Sequence, residues 1–308
     1  MNNQKVINII KIKPQLVVFV GFFIYAFSLG AMFPRLDDIQ TSLAIDKAEL
    51  GLLLLCIPLG LQVTLVFADR LVRTISLKNI ICIGIPSICF MQFSAVAVNQ
   101  IAFFAFFLMV CGAFVAVVEV AINLEADRVE HALGSRIMNR SHAFWSIGFF
   151  SAAVVGALFS QFKVMLEIHF LLICVISFVT SKIIFQDYVV AFPRHANVKK
   201  IKKFSLPTGP IFVMVLFTMA AMLVEGASID WSVIFMREIH YASPFLSGFS
   251  LAMAAFSQAL VRFFGDNLLN KFGPILISVA SLFFMFLGIF LVVLSNSSTL
   301  AILGFLFL

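Results

Sequence analysis

The chain has 308 residues, 62% of them hydrophobic and only 12% charged, with a mean hydropathy of +1.10. A water-soluble domain is about 45–50% apolar and about 25% charged, so one aqueous core cannot absorb this excess and lipid must solvate much of the surface. A net charge of +6 would point to nucleic acid in a soluble protein; here the basic residues sit in short loops, where membrane orientation explains them.

A hydrocarbon layer about 30 Å thick needs about 20 apolar helical residues. Nine segments meet that standard: 15–34, 49–68, 79–98, 101–123, 142–162, 164–184, 210–230, 245–264 and 275–295. A tenth begins at Thr299 and the sequence stops at Leu308, too soon to cross. Lys5, Lys11 and Lys13 precede the first run, and no small-x-small cleavage site follows. The first span therefore reads as a retained helix and not as a cleaved signal. With the N-terminus in the cytoplasm and the spans alternating, all but Arg35, Lys47, Lys163 and Arg237 of the 21 basic residues fall inside. That asymmetry predicts a multi-pass protein of the cell inner membrane.

In chain order, Arg35 ends the first span beside Asp37 and Asp38 and is expected at the outer interface. Gln62 is a polar group inside the second span that lines a cavity or bonds across helices. Glu119 lies deep in the fourth span, where an ionisable group costs roughly 2.5–3.5 kcal/mol on insertion scales. It reads as a proton-binding carboxylate or, more blandly, as a neutral carboxyl hydrogen-bonded in the bundle. Asn123, four residues on, shares its helical face and is placed to meet a solute hydroxyl. His142 opens the fifth span beside Arg140 and reads as structural first and as a pH-sensing group second. Gly148, Ala152 and Gly156 recur every four residues, a small-residue face for close helix packing.

The interval 186–208 is the longest that no apolar span covers and holds Arg194, Lys199, Lys200, Lys202 and Lys203. It reads as a basic cytoplasmic linker between a six-helix half, 1–185, and an incomplete second half, 209–308. In the seventh span Glu225 lies nearer mid-membrane, whereas Asp230 and Trp231 lie nearer the outer boundary. Trp231 either stacks on a sugar ring or anchors the helix at the interface. Gln258 in the eighth span parallels Gln62. Arg262 ends that span; it and Arg35 are both able to pair with acids across the bundle, but the first expectation for Arg262 is that it snorkels to the cytoplasm or pairs with Asp266.

A repeat links the halves. Residues 68–77, ADRLVRTISL, and 265–274, GDNLLNKFGP, share small-Asp-x-Leu at one constant offset, which Gly51 and Gly248 also obey. Each copy follows the second span of its half. Same-sense repeats are expected of halves related by an axis along the membrane normal.

The repeated loop resembles the signature of the major facilitator superfamily. The second copy holds Gly265, Asp266, Lys271 and Gly273; in the first, Asp69, Arg70 and Arg73 remain while Ala68 and Ser76 stand where Gly is usual. A narrower resemblance is to the fucose-permease-like, sugar-permease-like bacterial branch. It rests on Glu119-Val120-Ala121-Ile122-Asn123, on the loop Ser135 to Phe144, and on Val224 to Ser232. The resemblance implies an all-α bundle of two pseudo-symmetric helical halves, here with about nine complete helices and a partial tenth. It implies a proton-coupled secondary transporter of a small polar, sugar-like solute working by alternating access. Glu119 and Glu225 would carry the proton. Asn123, Gln62, Trp231, Asp230 and Gln258 would contact solute. Asp69, Arg70, Arg73, Gly265, Asp266, Lys271 and Gly273 would form the gating loops. Helix 5 lacks the Gly-Pro element of the superfamily's drug/proton antiporters, which favours uptake.

No Walker loop, HExxH, GxSxG or CxxC pair occurs, and the five cysteines lie in apolar spans without metal spacing. Neither cofactor nor metal nor enzymatic activity is expected, and the partners are a small solute, protons and lipid. The rival expectation is a truncated, non-transporting membrane protein, because the family pattern needs about three more helices.

Overall fold

The computed structural model describes residues 13–98, 100–192 and 208–308, and these form helices joined by short turns. In order they are α1 Pro14–Gly30, a 3₁₀ turn Phe33–Arg35, α2 Leu36–Leu43, α3 Lys47–Leu54, α4 Cys56–Thr74, α5 Leu77–Val96 and α6 Ile101–Leu133. There follow α7 Met138–Gln161, α8 Leu166–Phe185, α9 Gly209–Glu238, α10 Pro244–Phe272, α11 Pro274–Leu294 and α12 Ser298–Leu306. Among the described residues nine segments are long and apolar enough to cross a membrane, α1–α2 and α3–α4 each counting as one. They coincide with the nine spans read from the sequence. Several are longer, because their polar ends stay helical beyond the apolar run. The basic residues of the linker, Arg194 to Lys203, lie outside the described residues, as do Lys5 and Lys11.

Local chemistry sets the breaks. Pro34 and Pro58 cannot donate to the helix ladder, and a proline ring crowds the carbonyl four residues back. The first span accordingly tightens to 3₁₀ at Phe33–Arg35, and the second breaks between Leu54 and Cys56. Asp46 and Glu49 form a reciprocal capping box that starts α3. Ser76 and Ser243 cap α5 and α10 through their side chains. Gly273, at φ +77°, ends α10 and hands over to Pro274 at the first position of α11. The two repeated segments are therefore almost wholly helical. The turns within them shrink to Ile75–Ser76 and Gly273, which corrects the expectation of two ten-residue loops.

Small residues decide which helices touch. A Cβ on Gly60 of α4 would lie 1.9 Å from the Met109 carbonyl oxygen of α6, and one on Gly112 would lie 2.0 Å from that of Ile57. The two backbones are in direct contact there. On α7, a Cβ on Gly148 would meet the Phe23 carbonyl at 2.2 Å and one on Gly156 would meet the Pro34 ring at 2.2 Å. The face Gly148, Ala152, Gly156 is thus where α1 and the 3₁₀ turn seat. Gly112→Val is expected to lower stability by about 1–3 kcal/mol or more, since backbone atoms cannot swing aside. Thermal unfolding in detergent would show it; an unchanged midpoint would mean the helices are not this close.

The main buried cluster draws on α1–α3 and α5–α8, with α4 packed against it, and takes in Val233, Ile234, Leu251, Ala252 and Ala255 of α9 and α10. A smaller cluster, Met236, Ala242, Val292, Ala301 and Phe305, belongs to α9, α11, α12 and the turn before α10. The seam is built mainly by α7 and α10, which run antiparallel along their lengths. Gln161 accepts the Phe245 N–H at 3.1 Å, a Cβ on Gly248 would lie 2.5 Å from that of Ala157, and the Phe150 and Phe256 rings are 5.7 Å apart. Further along, Arg262 reaches Ser146 and Asn139 reaches Asp266.

A polar cluster at the seam as candidate functional site

Halfway along the α7–α10 pair the apolar packing gives way to charge. Arg262 of α10 donates from Nη1 to Ser146 Oγ of α7 at 2.7 Å. Its guanidinium lies over the Trp145 ring, 5.8 Å from the centroid. Nη2 is 3.7 Å from Glu225 Oε1 of α9, an ion pair without a direct hydrogen bond. One cation therefore ties three helices. Of the readings made from the sequence, pairing with an acid across the bundle is the one found, and snorkelling or pairing with Asp266 is not. α10 continues helically for ten residues beyond it, to Phe272, about 15 Å at 1.5 Å per residue. An arginine cannot span that distance. Asp266 instead accepts from Asn139 Nδ2 at 2.6 Å.

Across the seam, Asn123 Nδ2 donates both to the Glu119 backbone carbonyl and to its carboxylate Oε1, each at 2.9 Å. The four-residue spacing read from the sequence is used within the helix itself. The Glu119 carboxylate also interacts with the Tyr25 phenol of α1. His142 of α7 lies within electrostatic reach of Glu119 and of Arg262, and its ring meets Phe22 edge-on at 5.1 Å. The protein thus gathers two carboxylates, one guanidinium, an imidazole, a phenol and a carboxamide from α1, α6, α7, α9 and α10. Glu225 and Gln258 share a cavity with Trp145, Phe149 and Ser228, which has only about 10 Å³ open, room for about one water.

The other candidates lie elsewhere. Asp230 and Trp231 line a second cavity of about 440 Å³ with Phe33 and Gly51, and a Cβ on Gly51 would lie 3.5 Å from the Trp231 ring. Gln62 is exposed on α4 and does not line the cavity of Glu225 and Gln258. Asp69 and Arg73 pair with each other at 2.9 Å on an exposed stretch of α4, near an exposed Arg70. Lys271 lies over the Phe272 ring, 5.1 Å from its centroid, and a Cβ on Gly265 would meet nothing within 4 Å. Of the proposed gating residues, Asp266 has a partner on a distant helix. No cluster able to hold a metal occurs among the described residues.

The two ends of the seam differ. Where α2, α3 and the end of α9 meet, Arg237 binds Asp37 at 3.0 Å and lies 3.9 Å from Asp38, and Lys47 pairs with Glu238. Arg35, 3% exposed, adds bonds to Asp38 at 2.5 Å, to the Val164 carbonyl at 2.7 Å and to His169 Nδ1 at 3.4 Å. It is therefore buried in a network beside Asp38, as the sequence placed it, and not free at the surface. At the opposite end, residues 208–223 of α9 and its approach are exposed throughout, as is most of α10 after Gln258. The cluster is closed off toward Lys47 and loosely covered toward Pro14.

Sequence reading missed Tyr25, Trp145 and Ser146. The chain has only three Tyr and two Trp, so an aromatic with a polar atom inside an apolar span was the available signal.

The sequence model described as the Major Facilitator Superfamily matches residues 18–308. An uncharacterized MFS-type transporter of Yersinia pestis is 27% identical over 304 residues, covering 96% of this chain and 76% of that one. An uncharacterized transporter of Sinorhizobium fredii is 27% identical over 292 residues, covering 94% and 76%. Among solved structures, a mutant of the nucleoside transporter NupG superimposes with a TM-score of 0.71 at 15% identity, covering 96% of this chain and 78% of that one. The D-xylose-proton symporter gives 0.67 at 11% identity, covering 95% and 77%; at such identities the likeness is one of fold. The helical bundle, its nine spans and the match over nearly all of the sequence place this chain in the Major Facilitator Superfamily, as a multi-pass membrane transporter and not an enzyme.

Proposed function

We propose that the protein is a secondary active transporter of a small polar, sugar-like solute, driven by protons and working by alternating access. The observation that carries this reading is the charged cluster around Arg262 and Glu119 at the α7–α10 seam, in a protein whose surroundings are apolar. Charges at such depth are kept where a cavity or a partner uses them. Glu119 and Glu225 take up and release the proton, and Asn123 and Gln258 meet the solute. Asp230 and Trp231 line an antechamber nearer the Lys47 end.

Residues 1–185 and 209–308 act as two bodies that rock about the seam. The Lys47 end, fastened by Arg237–Asp37 and Lys47–Glu238, is the outer gate. The Pro14 end carries Lys13, Arg70, Arg73, Lys78, Arg136, Arg140, Lys182 and Lys271 and faces the cytoplasm of the cell by the positive-inside rule. The geometry then corresponds to a state shut to the outside and loosening inward. Support for the solute class comes from the hydroxyl-matching groups at the seam and from two proteins of like fold, a nucleoside transporter and a D-xylose-proton symporter.

Proteoliposomes offered a panel of labelled sugars and nucleosides at two pH values test the reading. The expected result is accumulation of at least one compound that rises with an inward proton gradient. Accumulation indifferent to the gradient removes the proton; no uptake of any polyhydroxyl compound removes the solute class.

A further inference from the structure

On the lipid-facing side of the main bundle, α5 and α8 enclose a groove of about 490 Å³ away from the polar cluster. Its floor is low because the residues there are small. Cys82 and Cys174 turn their thiols toward the neighbouring helix, at 3.8 Å from the Ser181 carbonyl and 3.9 Å from that of Pro86. Ser87 bonds back to the Ile83 carbonyl at 2.8 Å. The rims are bulky and exposed: Phe90 is 52% and Phe178 60% exposed.

The groove has a polar mouth at one end only, where Lys182 lines it. Lys78 stands at the same end of α5 and donates to the Gln186 carbonyl. Asp187, in the turn after α8, is the acid of that stretch, so two lysines and one aspartate belong to this end. From Cys82 to Phe90 the groove follows eight helical steps, about 12 Å at 1.5 Å per residue. One leaflet of hydrocarbon is about 15 Å deep, half of about 30 Å. An apolar trough one leaflet deep, with cations at its shallow end, matches a phospholipid in length and in charge. Left unfilled, its walls would forfeit dispersion contacts.

We propose that this groove binds one acyl chain of an anionic glycerophospholipid, with Lys182 holding the phosphate. Basic residues between transmembrane helices suit anionic headgroups. The site is separate from solute and proton.

The test uses the full-length protein in mild detergent, titrated with phosphatidylglycerol or phosphatidylcholine and read by native mass spectrometry. Phosphatidylglycerol is expected to bind about fivefold tighter, the effect of one basic side chain at an anionic lipid. K182Q should abolish the preference. K182R should keep it, as should K271Q, which changes a lysine on α10. Ser87→Trp, which fills the trough, should weaken both lipids. Equal binding of the two lipids by the unaltered protein, equal losses in K182Q and K271Q, or undiminished binding in a folded S87W protein would each overturn the proposal. Should S87W fail to fold, the lysine variants decide alone.

Discussion

Glu119→Gln is expected to abolish proton-driven accumulation while leaving solute exchange intact. One proton moved per solute across a gradient of one pH unit supplies about 1.4 kcal/mol, or about tenfold accumulation. In the variant that factor should fall to about one. The amide is isosteric with the carboxyl and keeps an oxygen for the Asn123 Nδ2–H, now 2.9 Å from Glu119 Oε1, so the fold and the solute contact survive. What disappears is the proton. Counterflow of labelled solute between liposomes at equal pH separates the two effects. Unchanged accumulation in Glu119→Gln would transfer the coupling to another group, with Glu225 and His142 the nearest candidates.

Arg262→Ala should be the more damaging change. It removes the link from α10 to Ser146, leaves the Trp145 face uncovered and strips Glu225 of its cation. Breaking a buried ion pair costs about 3–5 kcal/mol. Here both partners keep about a third of their exposure, at 32% and 33%, so screening reduces the cost to about 1–2 kcal/mol. That is still a shift of about five- to thirtyfold in the balance between two conformations. Transport is expected to fall by at least that factor. Arg262→Lys, which keeps charge but not the planar stacking, should recover only part of it. A double-mutant cycle with Glu225→Gln supplies the decisive number. Additive losses would show that the 3.7 Å pair carries no coupling and that Arg262 acts through Ser146 and Trp145.

The spans were legible because partition into lipid is a local property. A run such as 275–295 must lie in hydrocarbon whatever its neighbours do. The breaks at Pro34, Pro58 and Gly273 have an equally local cause, since each residue limits its own backbone, although the spans 15–34 and 49–68 were read as unbroken. The close approach of α7 could be read from Gly148, Ala152 and Gly156, which name a face though not the helix that seats on it. Arg262 shows where such reading stops. Placed at the end of an apolar run it reads first as a snorkelling residue or a partner of Asp266, and a pairing across the bundle is open without naming the acid. α10 continues to Phe272, and the partners of Arg262 come from Ser146, 116 positions away, and from Glu225 on another helix. Gln62 shows the converse. A polar residue in a span reads as lining a cavity or bonding across helices, and α4 leaves this one exposed.

Composition and the order of apolar and basic segments were therefore enough to establish a helical membrane protein, the nine segments among the described residues that are able to cross, and the few carboxylates that lipid could not tolerate unaided. Tertiary packing alone decided that Arg262 stands between Glu225 and the α7 face, that Tyr25 attends Glu119, and that the Lys47 end is fastened while the Pro14 end is loose. The reason is physical. Transfer into lipid is a sum over residues and can be read one segment at a time, whereas the pairing of charges depends on which helices lie side by side, and glycine contacts far apart in the chain settle that.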